Sequence, residues 1–242
     1  AEKVIPYKDS DKAKKKQVAE MFDNIAHKYD FLNHFLSLNI DKSWRRKSIH
    51  LLKSLQPKVI LDVATGTGDL AVETYKRLKP EKITGIDISK GMLKVGGEKI
   101  KRLGLSDYIN LEEGDSENLH FSNESFDAVT VAFGVRNFED LERGLKEMNR
   151  VLKPGGQVVI LEFSRPERFP IKQMYRLYFK YILPTIGKIF SKDMSAYSYL
   201  PESVDAFPYG EKFKSVLKDC GFKDIISKKF TFGISTVYHA KK

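Results

Sequence analysis

The feature that most constrains this chain is an apolar strand that runs into a tight glycine turn and restarts as a helix. Val59-Ile60-Leu61-Asp62-Val63 leads through Ala64-Thr65 into Gly66-Thr67-Gly68, and Asp69 to Leu78 then has helical periodicity. The alternation repeats downstream. Strand-like runs at Lys82–Asp87, Ile109–Glu112, Phe126–Phe133 and Gln157–Phe163 are separated by helical stretches over Lys90–Leu103 and Glu139–Leu152. Continuous apolar strands are buried on both faces, and helical crossovers between them dictate a parallel sheet. The ending differs: a helix near 210–220 stops at Gly221, and runs at about 223–230 and 234–240 flank Phe232-Gly233. That short link predicts an antiparallel hairpin closing the sheet edge.

Two further regions flank this core. Residues 11–52 read as helices, with Val18, Met21, Phe22 and Ile25 near helical spacing and a second helix from about Asp41 to Lys53. The aromatic stretch Tyr29-Asp30-Phe31-Leu32-Asn33 falls between them. Segment 165–207 is aromatic, helix-leaning and broken by Pro166, Pro170, Pro184 and Pro201. An irregular connection of this length is usually functional, often a lid.

Composition excludes several classes. The one cysteine, Cys220, leaves no internal disulfide, no cysteine-rich zinc site and no thiol nucleophile at a strand end. The five histidines show no ligand spacing, so no metal is expected. No stretch approaches the roughly 20 apolar residues that span a bilayer. The N-terminus lacks a signal-peptide core. A cytoplasmic protein is expected, at most peripheral to the inner face of the cell membrane. The net charge of +10 is scattered, and its one dense run is Lys12–Lys16. That run suits a solvated helix face or weak affinity for an anionic membrane surface. Nucleic acid is not expected as a partner: there is no Asn-Pro-Pro-Tyr-type motif and no appended RNA-binding module. Homo-oligomerisation stays open.

In an open parallel sheet, ligands bind beyond the carboxyl ends of the strands, near the topological switch. Gly66 and Gly68 let backbone approach a ligand, and helix amides after them favour negative charge. Asp87, 19 residues after Gly68, ends the next strand, where a carboxylate accepts both hydroxyls of a ribose. Asp115 follows the third strand, where it suits an adenine amino group, with the Ser116 amide as a donor beside it. The turn alone also satisfies a loose dinucleotide pattern and does not choose between NAD and S-adenosylmethionine. Asp62 inside the first strand, the further acid Asp115 and the terminal hairpin favour the methyl donor. For Asp62 the competing reading is a carboxylate that orders the loop.

With these motifs in place, the chain resembles the ubiquinone/menaquinone biosynthesis C-methyltransferases from about Lys16 to Tyr238. The likeness rests on Tyr29–Asn33 with Ser37 and Trp44, the Gly66–Asp69 loop, and Phe133-Gly134-Val135-Arg136-Asn137. It extends to Arg150–Gly156, Glu162-Phe163-Ser164 and Tyr199–Ser203. It departs at Asp41, where the family usually has histidine, and at Ala132, where relatives often have serine. The resemblance implies an α/β class I methyltransferase fold, Rossmann-like, with seven mostly parallel strands and an antiparallel terminal hairpin. It implies Thr67, Asp87, Asp115 and Ser116 as S-adenosylmethionine contacts, and C-methylation of a prenylated hydroquinone, demethylmenaquinol rather than the ubiquinone-pathway quinol. One domain, 1–242, would then comprise a helical lid (11–52), a cofactor-binding core (53–163), a substrate insertion (165–207) and a closing helix and hairpin (208–242).

Such a reaction needs a stabilised phenolate and a route for one proton. Arg136 is too basic to accept one, so it is expected to stabilise the phenolate and order a relaying water, with Asn137 orienting water or quinol. The alternative for Arg136 is an ion pair with Glu139, Asp140 or Glu162. Tyr29 is a candidate for the ring pocket and Asp30 for the proton. Segment 171–200 would either bury its own core or line a groove for an isoprenoid tail. The same loop would serve a methyltransferase for another lipid or small molecule, or a noncatalytic nucleotide-binding regulatory module.

Overall fold

A computed structural model describes residues 4–183, 185 and 195–242; Pro184 and 186–194 of the insertion lie outside the described residues. Five parallel strands, β1 (Val59–Val63), β2 (Lys82–Asp87), β3 (Ile109–Glu113), β4 (Phe126–Ala132) and β5 (Leu152–Phe163), lie in the order β3-β2-β1-β4-β5. β6 (Lys223–Phe230) and β7 (Ser235–Lys241) complete a seven-stranded sheet, β7 running antiparallel between β5 and β6. The expected class I methyltransferase sheet and its terminal hairpin are therefore present.

Helices cover both faces because the strands alternate their apolar side chains between two cores. Leu61, Val63, Val129 and Val131 pack with Leu145 and Met148 of α5 (Leu141–Val151) and with Phe213 of α8 (Glu211–Asp219). Ile60, Ile83 and Val159 pack on the other face, with Trp44 of α2 (Ile40–Ile49), Ala71 of α3 (Asp69–Leu78) and Ile100 of α4 (Lys90–Arg102). Strand order reverses between β1 and β4. This opens the crevice in which doubly wound sheets bind ligands.

The N-terminal region differs from expectation. One helix, α1 (Lys14–Leu36), runs through Tyr29–Asn33 instead of breaking there. The break comes later, at Leu38 and Asn39, both with positive φ (51° and 60°). Asp30 is tolerated inside the helix because it pairs with Lys99 of α4, 2.5 Å away. Strand β5 also begins earlier than Gln157, because Leu152 already pairs with Phe126 across a bulge. The described insertion comprises α6 (Ile171–Leu177), a π-helical turn over Tyr178–Ile182, and α7 (Ser195–Ala206).

Asp62 on β1 is a deeply buried charge, 1% exposed. Its two oxygens accept the hydroxyls of Thr65 (2.6 Å) and Thr130 (2.7 Å). Burial nevertheless dominates and pushes its carboxyl up to about 6. A folded pKa above the unfolded value near 3.9 means that the folded state binds a proton more tightly. Stability from this group is therefore lost as pH rises from about 4 to about 6 and stays lost above. Asp62→Asn should be more stable than wild type at pH 7.5, by on the order of 1–2 kcal/mol, with the gap closing towards pH 4.5. Urea denaturation at both pH values tests this, and a gap independent of pH would remove the buried-charge explanation.

Candidate active site

Two cavities meet above the carboxyl edge of the sheet. The first is a narrow cleft of about 60 Å³ at the ends of β1, β2 and β4, lined by Gly66, Asp87, Asp115, Ser116 and Asn137 among others. The second, about 480 Å³ and overwhelmingly apolar, lies between α1, α2, the insertion and the end of β5. Phe22, Tyr29 and Phe133 line both, so these three rings form the partition.

Helix α1 makes most of this wall, and its periodicity explains how. Lys15, Val18, Phe22 and Tyr29 fall on one helical stripe and face the cleft. Met21, Phe22, Ile25 and Tyr29 form the adjoining stripe and face the apolar cavity. Three polar clasps hold the helix down. Lys15 pairs with Asp115 (2.7 Å) and Glu117 (3.1 Å). Asp23 accepts the Ser89 hydroxyl (2.6 Å) and the Gly91 amide (2.8 Å). Asp30 pairs with Lys99 and accepts the Thr67 hydroxyl at 2.5 Å.

The expected cofactor residues divide into two groups. Gly66, Asp87, Asp115 and Ser116 line the cleft. Asp62, Thr67 and Gly68 do not; they build the turn beneath it. Asp62 grips Thr65 and Thr130, Thr67 faces Asp30 and Lys99, and Gly68 (φ +80°) caps α3 in a left-handed conformation. The Thr67 hydroxyl is engaged by Asp30 of α1.

The cleft suits an adenosyl cofactor on three counts. Gly66 has φ +57°, and a Cβ built there meets no protein atom within 4 Å, so its free face is open to a ligand. Asp87 accepts only backbone amides, from Gly66 (2.8 Å) and Ser89 (2.9 Å). Burial pushes its carboxyl up against those bonds, which leaves a carboxylate that gains from two further hydroxyl donors. Asn137 Oδ1 is buried without a partner. The volume, however, is below the roughly 300 Å³ of small-molecule sites.

Of the expected catalytic residues, Arg136 lines the apolar cavity, Asn137 the cleft and Tyr29 both. Asp30 lines neither. Its oxygens pair with Lys99 and Thr67, which tie α1 to α4 and to the glycine turn. Arg136 forms the ion pair anticipated as its alternative, with fully buried Glu162 at 2.7 Å. It also donates to the Phe133 carbonyl (2.5 Å) and lies over the Phe163 ring. Sequence reasoning missed Lys15, Asp23 and Lys99, which look like ordinary surface charges in the sequence. It also missed the buried Tyr199 hydroxyl, which has no partner and is pushed up to about 12 by burial.

A profile described as the ubiE/COQ5 methyltransferase family matches residues 10–242. The chain belongs to that family. A demethylmenaquinone methyltransferase of Bacteroides fragilis is 55% identical over 241 residues, covering 100% of this chain and 98% of that one. The ubiquinone/menaquinone biosynthesis C-methyltransferase UbiE of Geotalea daltonii is 48% identical over 95% of this chain and 97% of its own. Among solved structures, a SAM-dependent methyltransferase of Thermotoga maritima, a possible histamine N-methyltransferase by its description, aligns with TM-score 0.65 at 17% identity. The alignment covers 93% of this chain and 99% of that one. The [4+2]-cyclase SpnF aligns with TM-score 0.67 at 16% identity, over 94% and 96%. At such identities these last two speak for the methyltransferase's fold alone.

Gly66→Ala places a methyl group in the open face of the turn and forces an L-residue to positive φ. It should weaken S-adenosylmethionine binding at least tenfold by calorimetry while costing about 1–2 kcal/mol of stability. Unchanged affinity would mean that the cofactor does not approach this turn.

Proposed function

We propose that this protein methylates a ring carbon of demethylmenaquinol, with S-adenosylmethionine as donor, to give menaquinol. The observation that carries the substrate is the 55% identity, end to end, with a demethylmenaquinone methyltransferase. The paired cavities agree with it: a polar cleft for the cofactor adjoins a large apolar one suited to a prenylated ring.

When bound, the cofactor supplies a methyl group on a positively charged sulfur, which is a strong electrophile. The cofactor's ribose is assigned to Asp87, its adenine to the Asp115–Ser116 strand end, and the approach of its backbone-hugging part to Gly66. Lys15 must then share Asp115 with the ligand. The partition rings Phe22, Tyr29 and Phe133 exclude water between donor and acceptor and hold the acceptor ring in register. Asn137 Oδ1, buried and unpartnered, takes a hydrogen bond at this junction. Arg136 is neutralised by Glu162, so it acts through directed N–H donors towards the phenolate oxygen more than through net charge.

The prenyl tail has an exit on the insertion. Phe169, Met174, Leu177, Tyr181 and Ile182 are exposed large apolar residues there, interleaved with exposed Lys172, Arg176 and Lys180. That composition suits docking to an anionic bilayer surface, where the substrate's tail resides. No helix among the described residues is long and apolar enough to cross a membrane.

Incubation with methyl-labelled S-adenosylmethionine and reduced demethylmenaquinone should move label to the quinone; binding of cofactor without transfer to any prenylated hydroquinone would sink the substrate reading. Arg136→Ala should lower kcat at least tenfold with cofactor affinity within about threefold of wild type, since Arg136 lines only the apolar cavity. Equal loss of both would assign it a structural role. Sedimentation with vesicles containing phosphatidylglycerol should carry the protein down, and Leu177→Glu/Tyr181→Glu should release it. Equal sedimentation of wild type and variant would discard the docking face.

A further inference from the structure

The apolar cavity has one carboxylate in its lining, Asp41 on the first turn of α2. It is 3% exposed, and His34, Ser37 and Arg45 reach it. Ser37 Oγ donates to Oδ1 at 2.7 Å, His34 Nδ1 lies 2.9 Å from Oδ2, and the Arg45 guanidinium also reaches Oδ2. A carboxylate only accepts, so His34 carries its proton on Nδ1; its other nitrogen faces Asp69 at 3.4 Å. Burial pushes the Asp41 carboxyl up, but Arg45, Ser37 and His34 together outweigh this and hold it below the ordinary carboxylate range. The cavity thus contains a carboxylate acceptor that three protein donors hold in place.

Three of its roughly four acceptor positions are filled from within the protein. Resting on the reading that the cavity takes an aromatic diol or its oxidised form, we propose that Asp41 determines redox specificity: it binds the hydroxyl of a hydroquinone and rejects the carbonyl of the quinone. The chemistry is asymmetric. A phenolic O–H donates to the carboxylate and fills its remaining position. A quinone oxygen at the same place sets lone pair against anion with no proton between them. Arg45 offsets the net charge of Asp41, so the discrimination rests on this local mismatch of lone pairs, which costs most where the surrounding lining is apolar. Only the reduced ring is nucleophilic at carbon, so this selection keeps the oxidised pool from occupying the site.

The sole tryptophan, Trp44, lines the same cavity one turn after Asp41, so its fluorescence reports occupancy. The probes are 2-prenyl-1,4-naphthoquinone and its hydroquinone, titrated anaerobically, with and without saturating S-adenosylmethionine. Wild type should bind the hydroquinone at least tenfold more tightly than the quinone. Asp41→Asn, whose amide can donate to a carbonyl, should bring the two within about threefold, chiefly by tightening the quinone. Asp41→Glu should restore the preference, and cofactor affinity should stay within twofold throughout. Wild type without preference, or Asp41→Asn with the preference intact, overturns the proposal. If Asp41→Asn does not fold, Ser37→Ala decides: the carboxylate remains, so the preference must persist, and its loss counts against Asp41 as the discriminator. If neither ring form binds wild type while S-adenosylmethionine does, the substrate reading fails first, and this inference with it.

Discussion

The site hangs on a buried carboxylate where the strand order reverses. Asp62 lies on β1, and one of its oxygens takes the Thr130 hydroxyl of β4, directly across the switch between the two halves of the sheet. The other takes Thr65, which fixes the start of the glycine turn. A parallel sheet has no hairpin to hold its turns, so side chains have to help constrain the backbone leaving β1. Thr65 also anchors the turn sideways: its amide donates to Ile86 of β2, and Gly68 donates back to its carbonyl. The Asp87 carboxylate then meets the Gly66 amide because both strands are already registered. A destabilising charge is kept at the centre because it joins three elements that would otherwise move independently.

Much of this was legible in the sequence. The strands, their crossover helices and the closing hairpin follow from apolar runs and punctuation, since a sheet buried on both faces leaves a strong periodic signal. Gly66, Asp87 and Asp115 were legible too, because strand ends in this topology converge on one crevice. What no local pattern announces is the mutual pairing of Thr67, Asp30 and Lys99, residues 32 or more positions apart in sequence. The break expected at Tyr29–Asn33 comes instead at Leu38 and Asn39, and Asp30 inside the helix is held by Thr67 of the glycine turn and Lys99 of α4.

Asp41 and Arg136 illustrate two ways of placing charge against an apolar cavity. Both are buried and both are paired with an opposite charge, but they turn different hydrogen-bonding groups to the cavity. Arg136, held by fully buried Glu162, offers N–H donors. Asp41, held by Arg45, Ser37 and His34, offers an acceptor. Arg45 and Arg136 each cover one ring of the stacked Phe133–Phe163 pair, so the two polar groups frame a common aromatic floor.

Helix α1 serves as a wall for both cavities at once. Phe22 and Tyr29 belong to the cleft and to the ring chamber alike. A substitution that shifts either ring reshapes both compartments at once. The donor pocket and the acceptor pocket share a wall, so neither can be re-cut for a different ligand without altering the other.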